Sequence, residues 1–248
     1  MDSLSEGIIS QLAGARSLVV FTGAGMSAES GVPTFRDAQT GLWAQYEPAD
    51  LATPEAFARD PALVWQWYAW RRELVAGVEP NAGHQALATW QTRVKAFTVV
   101  TQNVDGLHQR AGSDRVLELH GNLHRIICSS EGMEVRDPLP PVAEGGPPRC
   151  PQCAAPLRPD VVWFGEALPE RAWEGAMQAA ARAEVLLSVG TSGLVHPAAG
   201  IPLLALQNGA VVVEINPEPT PLSHQVTASV RGTAAQVLPA LVERLAPR

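Results

Sequence analysis

Short unbroken apolar runs alternate along this chain with longer stretches in which apolar residues recur at helical spacing. Leu4, Ile8 and Leu12 share one helical face behind Ser3-Leu4-Ser5-Glu6, a capping-box pattern that satisfies the first free amides of a helix. Residues 17–21 then form a run of strand length. Asp60 before Pro61 marks a second helix start, because proline lacks an amide that the first turn leaves unused anyway. That helix is predicted to run to Ala76 and stop at Gly77. Further helices are predicted over 84–90, about 173–184 and from about 238, where Leu238, Leu241, Val242 and Leu245 share a face. Strands are predicted over 96–100, 116–119, 185–189 and 211–215. Such alternation predicts an α/β fold with a doubly wound, mostly parallel sheet.

Residues 121–160 break the pattern. Prolines and glycines crowd 138–148, and Cys150-Pro151-Gln152-Cys153 follows. The expected organisation is therefore a large domain from 1–120 and 161–248, with a helical insertion at about 38–80, and a small module at 121–160.

Composition narrows the class. In a chain of 248 residues, 46% hydrophobic content supports a substantial core, and a net charge of −7 argues against nucleic-acid or membrane-surface partners. The start of the sequence lacks the basic and apolar regions of a secretory signal, and no apolar run reaches the ~20 residues of a membrane helix. Three cysteines make a disulfide framework implausible, so a cytoplasmic protein is expected.

The candidate chemistry sits where strands end. The first strand runs into Gly23-Ala24-Gly25, with the Gly-x-Gly-x-x-Ala spacing of a dinucleotide fingerprint. Three other strands run into Gln102-Asn103-Val104-Asp105, Gly190-Thr191-Ser192 and Asn216-Pro217-Glu218. Ligands of open parallel sheets bind at such carboxyl ends, so four of them together favour a nucleotide site. A dehydrogenase would carry an acidic residue ~20 positions after its glycines to hold the ribose. Thr40-Gly41-Leu42-Trp43 stands there instead, after a loop bearing Phe35, Arg36 and Asp37. Phe35 can shield a cationic ribosyl centre, and the forked donors of Arg36 suit a pyrophosphate.

These segments, together with Leu119-His120-Gly121-Asn122 and Val162-Trp163-Phe164-Gly165-Glu166, resemble the sirtuin family of NAD-dependent protein deacylases. The resemblance implies a Rossmann-like domain, a small zinc-ribbon-like insertion, and NAD consumed as co-substrate between them. It also implies a mechanism: the oxygen of an acyl-lysine amide attacks the anomeric carbon of the nicotinamide ribose, and nicotinamide leaves. By the same resemblance His120 is the general base, Asn103 positions the ribose and a water, Asp105 binds the carboxamide, and Gln102 contacts the ribose. Gly23, Ala24, Gly25, Phe35 and Arg36 belong to the cofactor site, with Gly190, Thr191, Ser192, Asn216 and Ala234 on the adenosine side. On composition alone His84, His108, His124, His196 and His224 compete with His120, Asp105 can be a turn residue, and Asn103 can cap a helix.

Tyr68 and Arg71, three apart, lie on one face of the 61–76 helix among Trp65, Trp67 and Trp70. A phenol and a guanidinium together can hold a carboxylate. The plain alternative is a solvated Arg71. The pair, with Ala52 as a small neighbour, matches the sirtuin subgroup that removes succinyl, malonyl or glutaryl groups, which implies a preference for acidic acyl chains with some deacetylation retained. An acylated peptide is expected to add as a strand between Val162, Phe164, Gly165 and Glu166 on one side and residues 193–195 on the other.

The family's metal pattern is two Cys-x-x-Cys pairs, and here only Cys128, Cys150 and Cys153 are present, with Glu131 where the fourth cysteine would fall. Glu131, His124 or water can complete a structural zinc site, or packing alone can hold the module. The same scaffold would also serve mono-ADP-ribosyl transfer. Nicotinamide redox chemistry and non-enzymatic NAD sensing are the more distant alternatives.

Overall fold

The computed structural model describes residues 4–33, 43–136, 139–140 and 146–246. Strands β1 (Ser17–Thr22), β2 (Ala96–Thr101), β3 (Val116–Glu118), β6 (Val185–Val189), β7 (Val211–Ile215) and β8 (Ala228–Val230) form one sheet in the order β3-β2-β1-β6-β7-β8. Every pairing in it is parallel. The direction of winding reverses between β1 and β6, which makes the gap beyond their carboxyl ends the switch point where such sheets hold ligands. Its central strands are apolar on both faces, as burial between two helical layers requires.

Helices α1 (Glu6–Gly14), α5 (Ala82–Trp90) and α9 (Ala234–Arg244) cover one face, where Leu12, Leu87 and Leu238 pack on Leu18, Val20 and Leu187. On the other face α7 (Glu170–Ala181) and α8 (Ile201–Gln207) bury Ala176, Ala180 and Ile201 against Val19, Phe21 and Leu186.

Between β1 and β2 the chain detours through α2 (Pro48–Leu51), α3 (Pro54–Arg59) and α4 (Pro61–Ala76). These pack on the antiparallel pair β4 (Gly121–Cys128) and β5 (Leu157–Val161), where Trp67, Tyr68 and Phe57 share a core with Leu123, Val161 and Trp163. Helix α4 has the predicted ends because both are local: the Asp60 carboxylate accepts from the Leu63 amide, and Gly77 closes the last turn. The first helix is instead capped by Ser5, whose hydroxyl accepts from Ile8 N; Ser3 lies outside the described residues. Helices α7 and α9 each begin earlier than their apolar spacing implies, at Glu170 and Ala234. No helix among the described residues is long and apolar enough to cross a membrane.

Candidate active site

The three glycines at the switch point are required by backbone packing. A Cβ on Gly23 would lie 2.9 Å from the Gly190 carbonyl oxygen, one on Gly25 2.8 Å from Gly190 Cα, and one on Gly190 2.4 Å from Met26 N. Gly190 also has φ +59°, a region that side chains disfavour. Gly23 N donates to Val189 O and Gly25 N to Gly190 O, which ties the β1 turn to the β6 turn. Thr191 extends this knot: its hydroxyl accepts from Gln102 Nε2 at 3.0 Å, and its carbonyl accepts from Asn216 Nδ2 at 2.9 Å. Three predicted strand ends thus converge on one residue. Ala24 and Ser192 are exposed beside it. Ala234 starts α9, whose next amide, Ala235 N, donates to Glu29 just after the glycine turn. The second strand of the sheet ends at Thr101-Gln102 with no acidic residue, so the ribose-holding acid of a dehydrogenase is missing from that strand end. Phe35 and Arg36 lie outside the described residues.

Beyond β2, Asp105 serves two partners. One oxygen accepts from Leu107 N at 2.9 Å and so caps helix α6 (Leu107–Arg110); the other accepts from the Ser27 hydroxyl at 2.7 Å. The turn role and the site role therefore coexist. Burial raises the Asp105 carboxyl, opposed by those two donors and by Arg71. Asn103 Nδ2 donates to the same Ser27 oxygen at 3.1 Å. Asn103 does not cap the helix, which has Gly106 at its N-cap.

Ser27 was not among the residues singled out from the sequence, yet it joins Asn103 to Asp105. Behind it, His84 Nε2 lies 3.5 Å from its hydroxyl, the His84 and His108 rings meet edge to face at 4.9 Å, and His108 Nε2 lies 3.0 Å from Thr22 Oγ1. Burial lowers these two rings to about 4 and about 3, so both are neutral near pH 7. A serine inside a glycine turn gives no sequence signal for such a role, because its partner is 78 positions away.

His120 differs from the buried pair. Its Nδ1 is 2.9 Å from the Gln102 carbonyl, which can only accept, so this nitrogen carries the proton and Nε2 is the free lone pair. The ring is half-buried; burial lowers its pKa and the carbonyl partly restores it. The turn that presents it is rigid. Gly121 has φ +80°, a Cβ there would fall 2.0 Å from Asp160 O, and Val162 N donates to His120 O at 2.9 Å.

Tyr68 and Arg71 are brought together as predicted. The Arg71 guanidinium carbon lies 6.0 Å from the Tyr68 ring centre and 5.8 Å from that of Trp67. Burial raises the phenol, which stays neutral, and lowers Arg71, with Tyr68 and Asp105 opposing that fall. Ala52 is buried under the 162–166 segment, its carbonyl accepting from Phe164 N. Glu166 is held by Arg158 through contacts of 2.6 and 2.8 Å and accepts from Trp163 N. The amides of 162, 163, 164 and 166 are thus already occupied. Phe164 is 60% exposed and Leu194 62%, unusual for such large apolar side chains.

The sulfur atoms of Cys128, Cys150 and Cys153 lie within 4.8 Å of one another, with no disulfide among them. Amides of Gln152 and Cys153 point at the Cys150 sulfur and lower its pKa. Ala154 takes φ +59° to close this turn, a conformation that costs alanine about 1 kcal/mol. Glu131 and His124 are exposed and stand outside the cluster. The set fits three of the four positions of a tetrahedral zinc site.

Comparison with known proteins agrees with this geometry. A Sir2 family profile matches residues 23–197. The NAD-dependent protein deacylase 1 of Pseudomonas aeruginosa is 56% identical, covering 97% of this chain and 98% of its own. The NAD-dependent protein deacylase of Mycobacterium tuberculosis is 52% identical, covering 92% and 97%. Among solved structures, a Sir2 homologue in complex with NAD superposes with a TM-score of 0.89 at 44% identity, covering 98% of this chain and 94% of that one. A Sir2 complex with a p53 peptide and NAD+ gives 0.81 at 28% identity, covering 96% and 97%.

Proposed function

This chain belongs to the Sir2 family and is an NAD-dependent protein deacylase; we propose how its residues divide that work and which acyl groups they prefer. The observation that carries the reading is the fixed tautomer of His120, whose Nδ1 is bound to the Gln102 carbonyl just beyond β2 and whose Nε2 is left bare. Bound NAD supplies a ribosyl carbon whose leaving group is nicotinamide. Gly23, Ala24 and Gly25 form the tight turn that faces the phosphates, and Gln102, Gly190, Thr191, Ser192, Asn216 and Ala234 line the adenosine and ribose side. We assign Phe35 to the nicotinamide end and Arg36 to the pyrophosphate. Asp105 accepts from the carboxamide, while Asn103 orients the ribose. His120 Nε2 takes a proton from a ribose hydroxyl, which a neutral imidazole does well near pH 7.

The substrate is an acylated lysine in a protein or peptide. It lies along 162–166, where the amides of 162, 163, 164 and 166 are occupied and the Gly165 amide is left for main-chain pairing. Tyr68 and Arg71 form the end of the acyl pocket, beyond Ala52. The Tyr68 phenol and the Arg71 guanidinium, close together on one buried helix face, together suit an acyl carboxylate. Acidic acyl groups are therefore preferred over acetyl. That pocket also favours deacylation over ADP-ribosyl transfer, which has no use for it. Cys128, Cys150 and Cys153 would hold a structural zinc that pins the 121–160 module, remote from the reacting atoms. The deciding experiment incubates acetyl-, succinyl-, malonyl- and glutaryl-lysine peptides with and without NAD. It is expected to release nicotinamide and acyl-ADP-ribose in equal amounts, fastest with the acidic acyl groups. ADP-ribosylated peptide as the main product would overturn it.

A further inference from the structure

The Trp163 indole is buried, 2% exposed, and clamped on three sides. The Arg158 guanidinium carbon lies 3.3 Å from its ring centre, the Phe57 ring sits at 5.2 Å, and its own backbone amide donates to Glu166, which Arg158 holds. From this fixed position Nε1–H donates to the Tyr68 hydroxyl at 3.1 Å. No acceptor for the Tyr68 proton is present among the described residues. Burial keeps that phenol neutral, so it has one proton to give.

We propose that Trp163 is a positioning residue for acyl selectivity, which occupies the acceptor side of Tyr68 and so commits its hydroxyl to donating toward an acyl carboxylate. This rests on the charged-acyl reading above. An indole N–H can only donate. Its partner oxygen is therefore used on one side, and the phenolic proton lies on the other. The cation over the indole face draws electron density from the ring and strengthens the N–H donor, and a chain of hydrogen bonds polarises each successive donor in the same sense. Arg158, Trp163 and Tyr68 thus form a directed line from β5 into the acyl pocket. Acetyl has nothing to receive the last proton, so the line acts on acidic acyl groups alone.

Trp163→Phe keeps an aromatic ring under Arg158 and removes the donor together with part of the ring. The expected result is a ratio of kcat/KM for succinyl- over acetyl-lysine peptide lowered about 5- to 10-fold, the size of one buried hydrogen bond, with the change carried by the KM for the succinyl peptide. A double comparison guards against a general loss of packing. In a Tyr68→Phe background the added Trp163→Phe change is expected to leave the succinyl-to-acetyl ratio of kcat/KM where Tyr68→Phe put it. A further fall there, or an unchanged ratio for Trp163→Phe alone, overturns the proposal. Absence of any succinyl preference in the wild-type enzyme would instead overturn the charged-acyl reading on which it stands.

Discussion

His120 Nδ1 donates to the backbone carbonyl of Gln102 at 2.9 Å, and this bond decides which nitrogen of the ring can act as a base. Gln102 is also the residue whose side chain reaches Thr191 across the switch point. The orientation of the base and the shape of the cofactor cradle therefore depend on the same short segment after β2.

His120→Ala is expected to lower kcat by about 10²–10⁴, the usual contribution of a positioned proton acceptor, while NAD affinity by calorimetry changes less than about threefold. Because burial holds the ring below its ordinary 6.5, the acid limb of kcat/KM against pH should fall at a pH below 6.5. A limb above 6.5 would mean that a different group is the base.

Gly25→Ala and Gly190→Ala should each destabilise the fold by about 2–3 kcal/mol in urea unfolding, because the added methyl meets backbone at 2.8 and 2.4 Å and backbone cannot swing aside. Gly14→Ala, with open space around it, should change stability by no more than about 0.5 kcal/mol. Similar losses at all three positions would show that the contact across the switch point is not what demands glycine.

His84 and His108 give stability a defined pH dependence. Their folded pKa values, about 4 and about 3, lie below the ordinary 6.5, so the unfolded chain binds protons first as pH falls. The stability is fully present above 6.5 and declines below it. At pH 5, which is 1.5 units down at about 1.36 kcal/mol per unit, each ring should cost about 2 kcal/mol. Urea midpoints at pH 8 and pH 5 measure the loss; a double His84→Asn/His108→Asn variant should show a shallower dependence.

Protein purified without chelator should carry about one zinc per chain, and its removal should lower Tm by about 5 °C or more. Less than about 0.2 zinc per chain, with Tm indifferent to chelator, would mean that packing around Cys128 and Leu157 holds the module alone.

What the sequence makes legible is what is local. Helix α4 is bounded by Asp60-Pro61 and Gly77, each a cap acting over three residues, and its ends fall where predicted. Strands β6 and β7 are mostly apolar runs, broken only by the buried Ser188 and Glu214, and they too are found at their predicted limits. Strand β8 is three residues long at the sheet edge, too short for any period to show. Helices α2 and α3 carry local caps, Thr53-Pro54 before α3 among them, but at four and six residues they are too short for a helical period to show, and they pack on Trp163 and Val161 more than 100 positions away. Within the site, His120 stands out from five other histidines only through the residues around it. Ser27 and Trp163 are invisible because their importance lies in what they bond to across the fold.

The most direct test of the whole account is the ratio of kcat/KM for succinyl-lysine to that for acetyl-lysine peptide, measured with saturating NAD in the wild type and in Arg71→Met. The ratio should exceed one in the wild type and fall about 10- to 100-fold in the variant, the range of a lost charge-assisted hydrogen bond, with acetyl-lysine turnover largely kept. A wild-type ratio below one, or equal losses on both substrates, would contradict it.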